Sequence, residues 1–272
     1  MKGVRMRTET STTERFSGRA RSYAKGRPQY PGELFEHLFR AKALWEGAVV
    51  ADIGSGTGIF TRQLLERGMR VFGVEPNRDM RSIAEEELRD EPRFYSVAGK
   101  AEEIPLPPET VDAVTAAQAF HWFDPLPAMR EFRRISRPGS YLIRVWNERM
   151  GKEEAFDEAY ARLVDDFEKG RGDIESKKKR PERMFGDLPF EHLTFSFERR
   201  LGLEELCNLV SSVSYLPAPG EAKHEEMMNR LVEIFEAHQI EGAVRMHYRT
   251  HCCLGRIWST LNDDAQRPAK GI

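Results

Sequence analysis

The chain has 272 residues, roughly a hundred more than one small α/β sheet domain uses, so a core carrying an elaboration is expected. A formal net charge of −2 argues against general attraction to nucleic acid or an anionic membrane. Cys207, Cys252 and Cys253 have neither metal nor disulfide spacing, no apolar run approaches the ~18 residues of a membrane span, and the amino terminus lacks the apolar core of a secretory signal; a cytoplasmic protein is expected.

In chain order, an Arg-rich, Ser/Thr-containing tail precedes a helix around Pro31 to Lys42, with Leu34, Leu38 and Ala41 on one face. The apolar run from Val49 to Ile53 suits a strand covered on both faces, followed by a helix at 58–67 and a second strand at 70–75. A helix at Arg78 to Arg89, a strand at Arg93 to Val97 and a Pro-rich loop at Ile104 to Pro108 lead to a fourth strand, Ala113 to Ala117. Pro125 suits the first turn of the next helix, Pro138-Gly139 is expected to end it, and Tyr141 to Trp146 is the fifth strand. This alternation predicts a doubly wound, parallel α/β sheet.

Beyond Asn147 the pattern changes. Ala155 to Phe167 has Phe156, Tyr160, Leu163 and Phe167 at helical spacing, and Glu168 to Pro181 reads as a charged exposed loop. His192 to Arg199 and Val244 to Leu254 read as strands, separated by a helix near Leu203 to Val210, the SSVSYLPAPG turn and a helix from Ala222 to His238. This predicts a final antiparallel hairpin opened by a helical insertion.

The chemistry concentrates at the first strand's carboxyl end. Gly54, Gly56 and Gly58 let the backbone turn tightly and come close to a ligand. Dinucleotide sites typically read G-x-G-x-x-G, whereas here the glycines alternate and Asp52 precedes them, an acid that repels a pyrophosphate and tolerates a cation. Glu75 ends the second strand 21 residues beyond Gly54, where adenosine-binding sheets place an acid to accept from both ribose hydroxyls.

On these residues the chain resembles the class I S-adenosylmethionine-dependent methyltransferases, in the small-molecule branch similar to UbiE and trans-aconitate methyltransferases. VADIGSGTG looks like the first motif, VFGVEPNRDM the second, GKAEEIPLPPETVDAVTAAQAFHWFD the third and fourth, and EFRRISRPGSYLI the following helix and strand; together they cover about residues 15 to 147. The resemblance implies a Rossmann-like, seven-stranded, mostly parallel sheet and S-adenosylmethionine as methyl donor, leaving as S-adenosylhomocysteine. It implies that Gly54, Ser55, Gly56 and Gly58 lie against the donor's methionine part, that Asp52 orders the loop, and that Glu75 with Pro76 holds the ribose. Asn77 and Met80 then flank the adenine, Ala101 and Glu102 border its edge, and Gln118 and His121 sit beneath the methionine. Many relatives carry an aspartate where this chain has Lys100, which leaves that adenine contact in question.

A methyl group on a sulfonium is already activated, so positioning and exclusion of water suffice for in-line transfer and a general base is optional. His121 is the candidate catalytic residue, set against a purely structural histidine at a strand end. Trp122 is a candidate pocket wall. Tyr23, Arg27 and Tyr30 stand where this branch carries a lid, and Ser214 and Tyr215, with Ser211, are candidate acceptor contacts. His247, His251 and Cys253 share a strand face but lack metal spacing, so no metal is expected. The Lys177 to Arg180 run reads as a solvated loop.

The expected organisation is a flexible tail and lid (1–30), a donor-binding core (31–147), a part completing the sheet (148–260) with a substrate-selecting insertion (about 200–240), and a flexible tail (261–272). The expected function is methyl transfer to a small-molecule acceptor. The alternatives are a nicotinamide-dependent oxidoreductase, disfavoured by the glycine spacing and Glu75-Pro76, and a protein that binds the donor without transferring. Methylation of RNA or protein calls for a basic rim that the charge balance does not announce. Residue patterns leave the acceptor, the attacked atom and the oligomeric state open.

Overall fold

The computed structural model describes residues 18–151, 154–169, 185–186 and 188–258. The expected loop with its Lys177 to Arg180 run, apart from Glu168 and Lys169, the first 17 residues of the expected tail and lid, and the expected tail at 261–272 lie outside these residues. Seven strands form one sheet: β1 (Val49–Ile53), β2 (Arg70–Val74), β3 (Phe94–Val97), β4 (Val111–Ala117), β5 (Ser136–Arg149), β6 (Phe190–Leu201) and β7 (Val244–Arg256), in the order β3-β2-β1-β4-β5-β7-β6. The five strands from β3 to β5 run parallel, and β7 lies antiparallel between β5 and β6.

Period-2 alternation in β1 divides the core. Val50, with Val71, Ala113 and Ile143, packs under α2 (Gly32–Arg40) and α3 (Ile59–Leu65) through Leu34, Phe35, Phe60 and Leu64. Ala51 and Ile53 face the other way, with Val114 and Leu142, toward Met129, Phe132 and Ile135 of α5 (Pro125–Ile135). Both faces of β1 are covered, as its unbroken apolar run requires. A third cluster joins α6 (Ala155–Phe167), α7 (Leu203–Ser211) and α8 (His224–His238) to Leu201, Val244, Met246 and Tyr248 at the antiparallel end.

Two expectations need correction. Pro138-Gly139 does not end a helix: α5 stops at Ile135, and β5 starts at once, pairing Ser136 with Val111 and then Tyr141 with Ala113. Residues 137–140 therefore bulge from the ladder, with Gly139 at φ +82° supplying the left-handed residue the bulge needs. The last two strands also run longer than their alternation suggested, because β6 and β7 pair continuously from Phe190↔Gly255 to Leu201↔Val244.

The segment before α2 forms a further helix, α1 (Ala20–Gly26), laid against α7. Its contact is close at Gly26, where a Cβ would meet the Leu209 backbone nitrogen at 2.4 Å. Arg19, at the start of α1, is buried and donates to the carbonyls of Ser211 (3.2 Å), Val213 (2.7 Å) and Leu216 (2.7 Å). Among the described residues, no helix is long and apolar enough to cross a membrane.

Candidate nucleoside-binding site

The glycine turn lies where β1 ends, at the carboxyl edge of the parallel strands, the edge at which open α/β sheets hold ligands. Gly54, Gly56 and Gly58 have φ of +69°, +58° and +83°, a region that side-chain-bearing residues rarely enter. The amides of Gly54 and Ser55 both donate to the Val74 carbonyl, at 2.8 and 3.2 Å, which ties the turn to β2.

Glu75 fixes the turn from the other side. Its Oε2 accepts from the Gly56 amide at 2.9 Å and its Oε1 from the Asn77 amide at 2.8 Å. Burial pushes its carboxyl above the ordinary value, and the two amide bonds with nearby Arg81 hold it back. Each oxygen keeps a lone pair, so the carboxylate still has acceptors for a diol. Asn77 in turn accepts from the Met80 amide at 3.0 Å, capping α4 (Arg78–Glu87).

These groups border a cavity of about 300 Å³. Its wall brings together Tyr23, Gly54, Gly56, Glu75, Pro76, Asn77, Met80, Ala101, Glu102, Gln118 and Trp122, eleven of the sequence candidates. Lys100 also lines it, with Ala117, Ala119 and Phe123, which sequence reasoning missed; the aromatic Phe123 just past the FHW turn was the available signal. Glu102 accepts from the Asp124 amide at 2.7 Å, which anchors that turn.

The remaining candidates lie elsewhere. Asp52 is fully buried beneath the turn, accepting from the hydroxyls of Thr61 (2.7 Å) and Thr115 (2.8 Å), and burial raises its carboxyl to about 6 against those two bonds. Ser55 and Gly58 border neighbouring clefts. His121 belongs to a 3-10 turn, Phe120–Trp122, where its ring packs on Trp122 at 4.6 Å, and it is not among the lining residues. Tyr30 packs edge-on against Phe60 while its amide donates to the Gln63 side chain. Among the described residues no cluster of three His, Cys, Asp or Glu side chains offers a metal site; His247 pairs with Asp157 (3.1 Å), and His251 with Glu148 (2.9 Å).

A second cavity, about 340 Å³, adjoins the first across Gln118. Gln118 sits at φ +56° at the end of β4, its amide donating to Val145 and its side chain to the Asn147 carbonyl, at 2.8 and 3.0 Å. Arg27 and Tyr215 line this second space; Ser214 lines neither cavity. Arg149, Tyr160 and Tyr248 also line it and were not singled out from the sequence.

A glycine turn at the end of β1, a carboxylate just past β2 and a cavity at the strand ends belong to a Rossmann-like fold. Residues 51–144 match the family model of the methyltransferase domain. An uncharacterized methyltransferase of Mycobacterium tuberculosis is 42% identical over 134 residues, covering 49% of this chain and 52% of that protein, so the match spans about half of the relative's length. A methyltransferase-like protein of Schizosaccharomyces pombe is 30% identical over 216 residues, covering 78% of this chain and 82% of that one. A solved structure described as a type II methyltransferase from Anaeromyxobacter dehalogenans superposes with a TM-score of 0.67 at 26% identity, covering 85% and 98% of the two chains. The chain belongs to the methyltransferase family.

Proposed function

We propose that the chain transfers a methyl group from S-adenosylmethionine to a small-molecule acceptor. The observation that carries the proposal is Glu75: a buried carboxylate, held by the Gly56 and Asn77 amides, opening onto the same cavity as the positive-φ glycines. A carboxylate with acceptor capacity left over suits a nucleoside whose diol hydroxyls donate to it. Glu75 would hold the ribose, Met80 and Asn77 would bound the adenine with Ala101, and Gly54 and Gly56 would admit the methionine part against bare backbone.

When bound, the sulfonium supplies an already activated methyl group. The chain's own residues then orient and exclude water. Tyr23 on α1 and Trp122 on the 3-10 turn wall the cavity, and Gln118 forms the boundary between it and the second space. Asp52 acts from below, fixing α3 and β4 to the turn through Thr61 and Thr115, so its role is positioning.

Calorimetry with S-adenosylhomocysteine and with a nicotinamide dinucleotide tests the donor. Tight binding of the first and none of the second supports the proposal; the reverse would establish the oxidoreductase alternative. A methyl-transfer screen with labelled donor separates a transferase from a protein that only binds.

A further inference from the structure

The second cavity contains three charged residues among those lining it, Arg27, Glu148 and Arg149. Strand alternation separates them. Arg149 is the Cα partner of Tyr248, which also lines the cavity, whereas the neighbouring Glu148 turns to the opposite sheet face and accepts from His251 Nε2 at 2.9 Å. The acid is therefore occupied away from the two guanidinium groups.

Among the described residues, both cations have a buried N–H without an acceptor: Nε of Arg27 and Nη1 of Arg149. Arg27 does donate from Nη2 to the Ser212 carbonyl at 3.2 Å; Asp157, which feels the charge of Arg149, accepts from His247 at Oδ2, and its Oδ1 is buried without a partner among the described residues. Leaving a charged donor buried and unmet is costly, and such exceptions mark places where another group completes the bonding. The Arg149 guanidinium lies over the Tyr160 ring, its Cζ 4.5 Å from the ring centroid, a cation–π contact that restrains it. Tyr248 is buried, and burial raises its phenol far above the ordinary value, so it forms a neutral wall.

We infer that this cavity is an acceptor site selective for a carboxylic acid with an apolar body, whose carboxylate meets Arg149 and Arg27 while its body lies among the tyrosines. The word acceptor rests on the transferase reading above; the preference for an acid rests only on the cavity. A planar carboxylate suits guanidinium forks, which accept it through paired N–H bonds. Gln118, shared by both cavities, places the acid's other end toward the nucleoside site.

The test uses the full chain, titrated with 3-phenylpropionate and with 3-phenylpropionamide, its neutral counterpart of similar shape, with and without saturating S-adenosylhomocysteine. The acid is expected to bind at least about tenfold tighter than the amide. That preference should fall below about threefold in Arg149→Met and in Arg27→Met, while S-adenosylhomocysteine affinity stays near the parent value in Arg149→Met. Arg149→Lys, which keeps the charge and loses the fork, provides a second variant if the methionine variant melts early, and should retain only part of the preference. An acid bound no better than the amide, or a preference intact in both methionine variants, overturns the inference. Acid preference without any S-adenosylhomocysteine binding would leave the anion site standing and remove the transferase reading; the opposite pattern would remove the anion site alone.

Discussion

The parallel half of the sheet and its antiparallel end solve different problems. Around β1, β2 and β4 the ligand-facing groups are mostly backbone or short side chains fixed by backbone: the glycine turn, Glu75 held by two amides, Asn77 capping α4. Around β5, β7, α6 and α7 they are long side chains on helices and strands, Arg149 over Tyr160 and Tyr215 near the turn after α7. A site built from backbone admits little variation, because each change moves the chain itself. One built from side chains changes its ligand by substitution without disturbing the sheet.

The largest expected effect breaks the first half alone. Glu75→Ala removes an acceptor for both the diol and two backbone amides, and should weaken S-adenosylhomocysteine binding by about 100-fold in calorimetry while the acid preference of the second cavity persists. Loss of both together would show that the two regions are not separable.

Asp52 sharpens the comparison through pH. Its folded carboxyl titrates near 6 against an ordinary value of 3.8, so the folded state favours the protonated acid. The stabilisation is complete below the lower value and lost as pH rises through the upper one. Relative to Asp52→Asn, the parent protein should lose on the order of 2–3 kcal/mol of stability between pH 4 and 6.5, read from melting curves of the two proteins. A constant difference across that range would place Asp52 in a far less buried setting.

At the seam between the regions, Gly26→Ala drives a methyl into the α7 backbone. Overpacking of this kind costs about 1–3 kcal/mol, and a lower melting temperature is expected together with weakened binding in both cavities. The smallest effect belongs to His121→Ala, which should leave S-adenosylhomocysteine affinity within about threefold, since the ring packs on Trp122 without lining the cavity. A greater loss would return His121 to the donor site.

The parallel half was the legible half. Its inner strands β1 and β4 are buried on both faces, so β1 shows as a continuous apolar run, and the turn depends on glycines whose positive φ leaves a mark in residue type. The second cavity leaves weaker marks. Arg149 is the last residue of β5, with nothing in its neighbours to show that Tyr160, on the next helix, packs against it. Pro138-Gly139 misled for a local reason: the same pair suits a helix stop or a bulge, and only pairing with Val111 decides. His121 follows β4 closely in sequence, and the 3-10 turn that carries it brings its neighbour Trp122 to the cavity wall.

The three-carbonyl grip of Arg19 on the end of α7 has a consequence for traffic. It makes α1 part of the antiparallel end mechanically, although Tyr23 on that helix closes the nucleoside cavity and Arg27 just beyond it closes the other. Any displacement of α1 would carry Tyr23 and Arg27 together, so the two cavities would open and close as one.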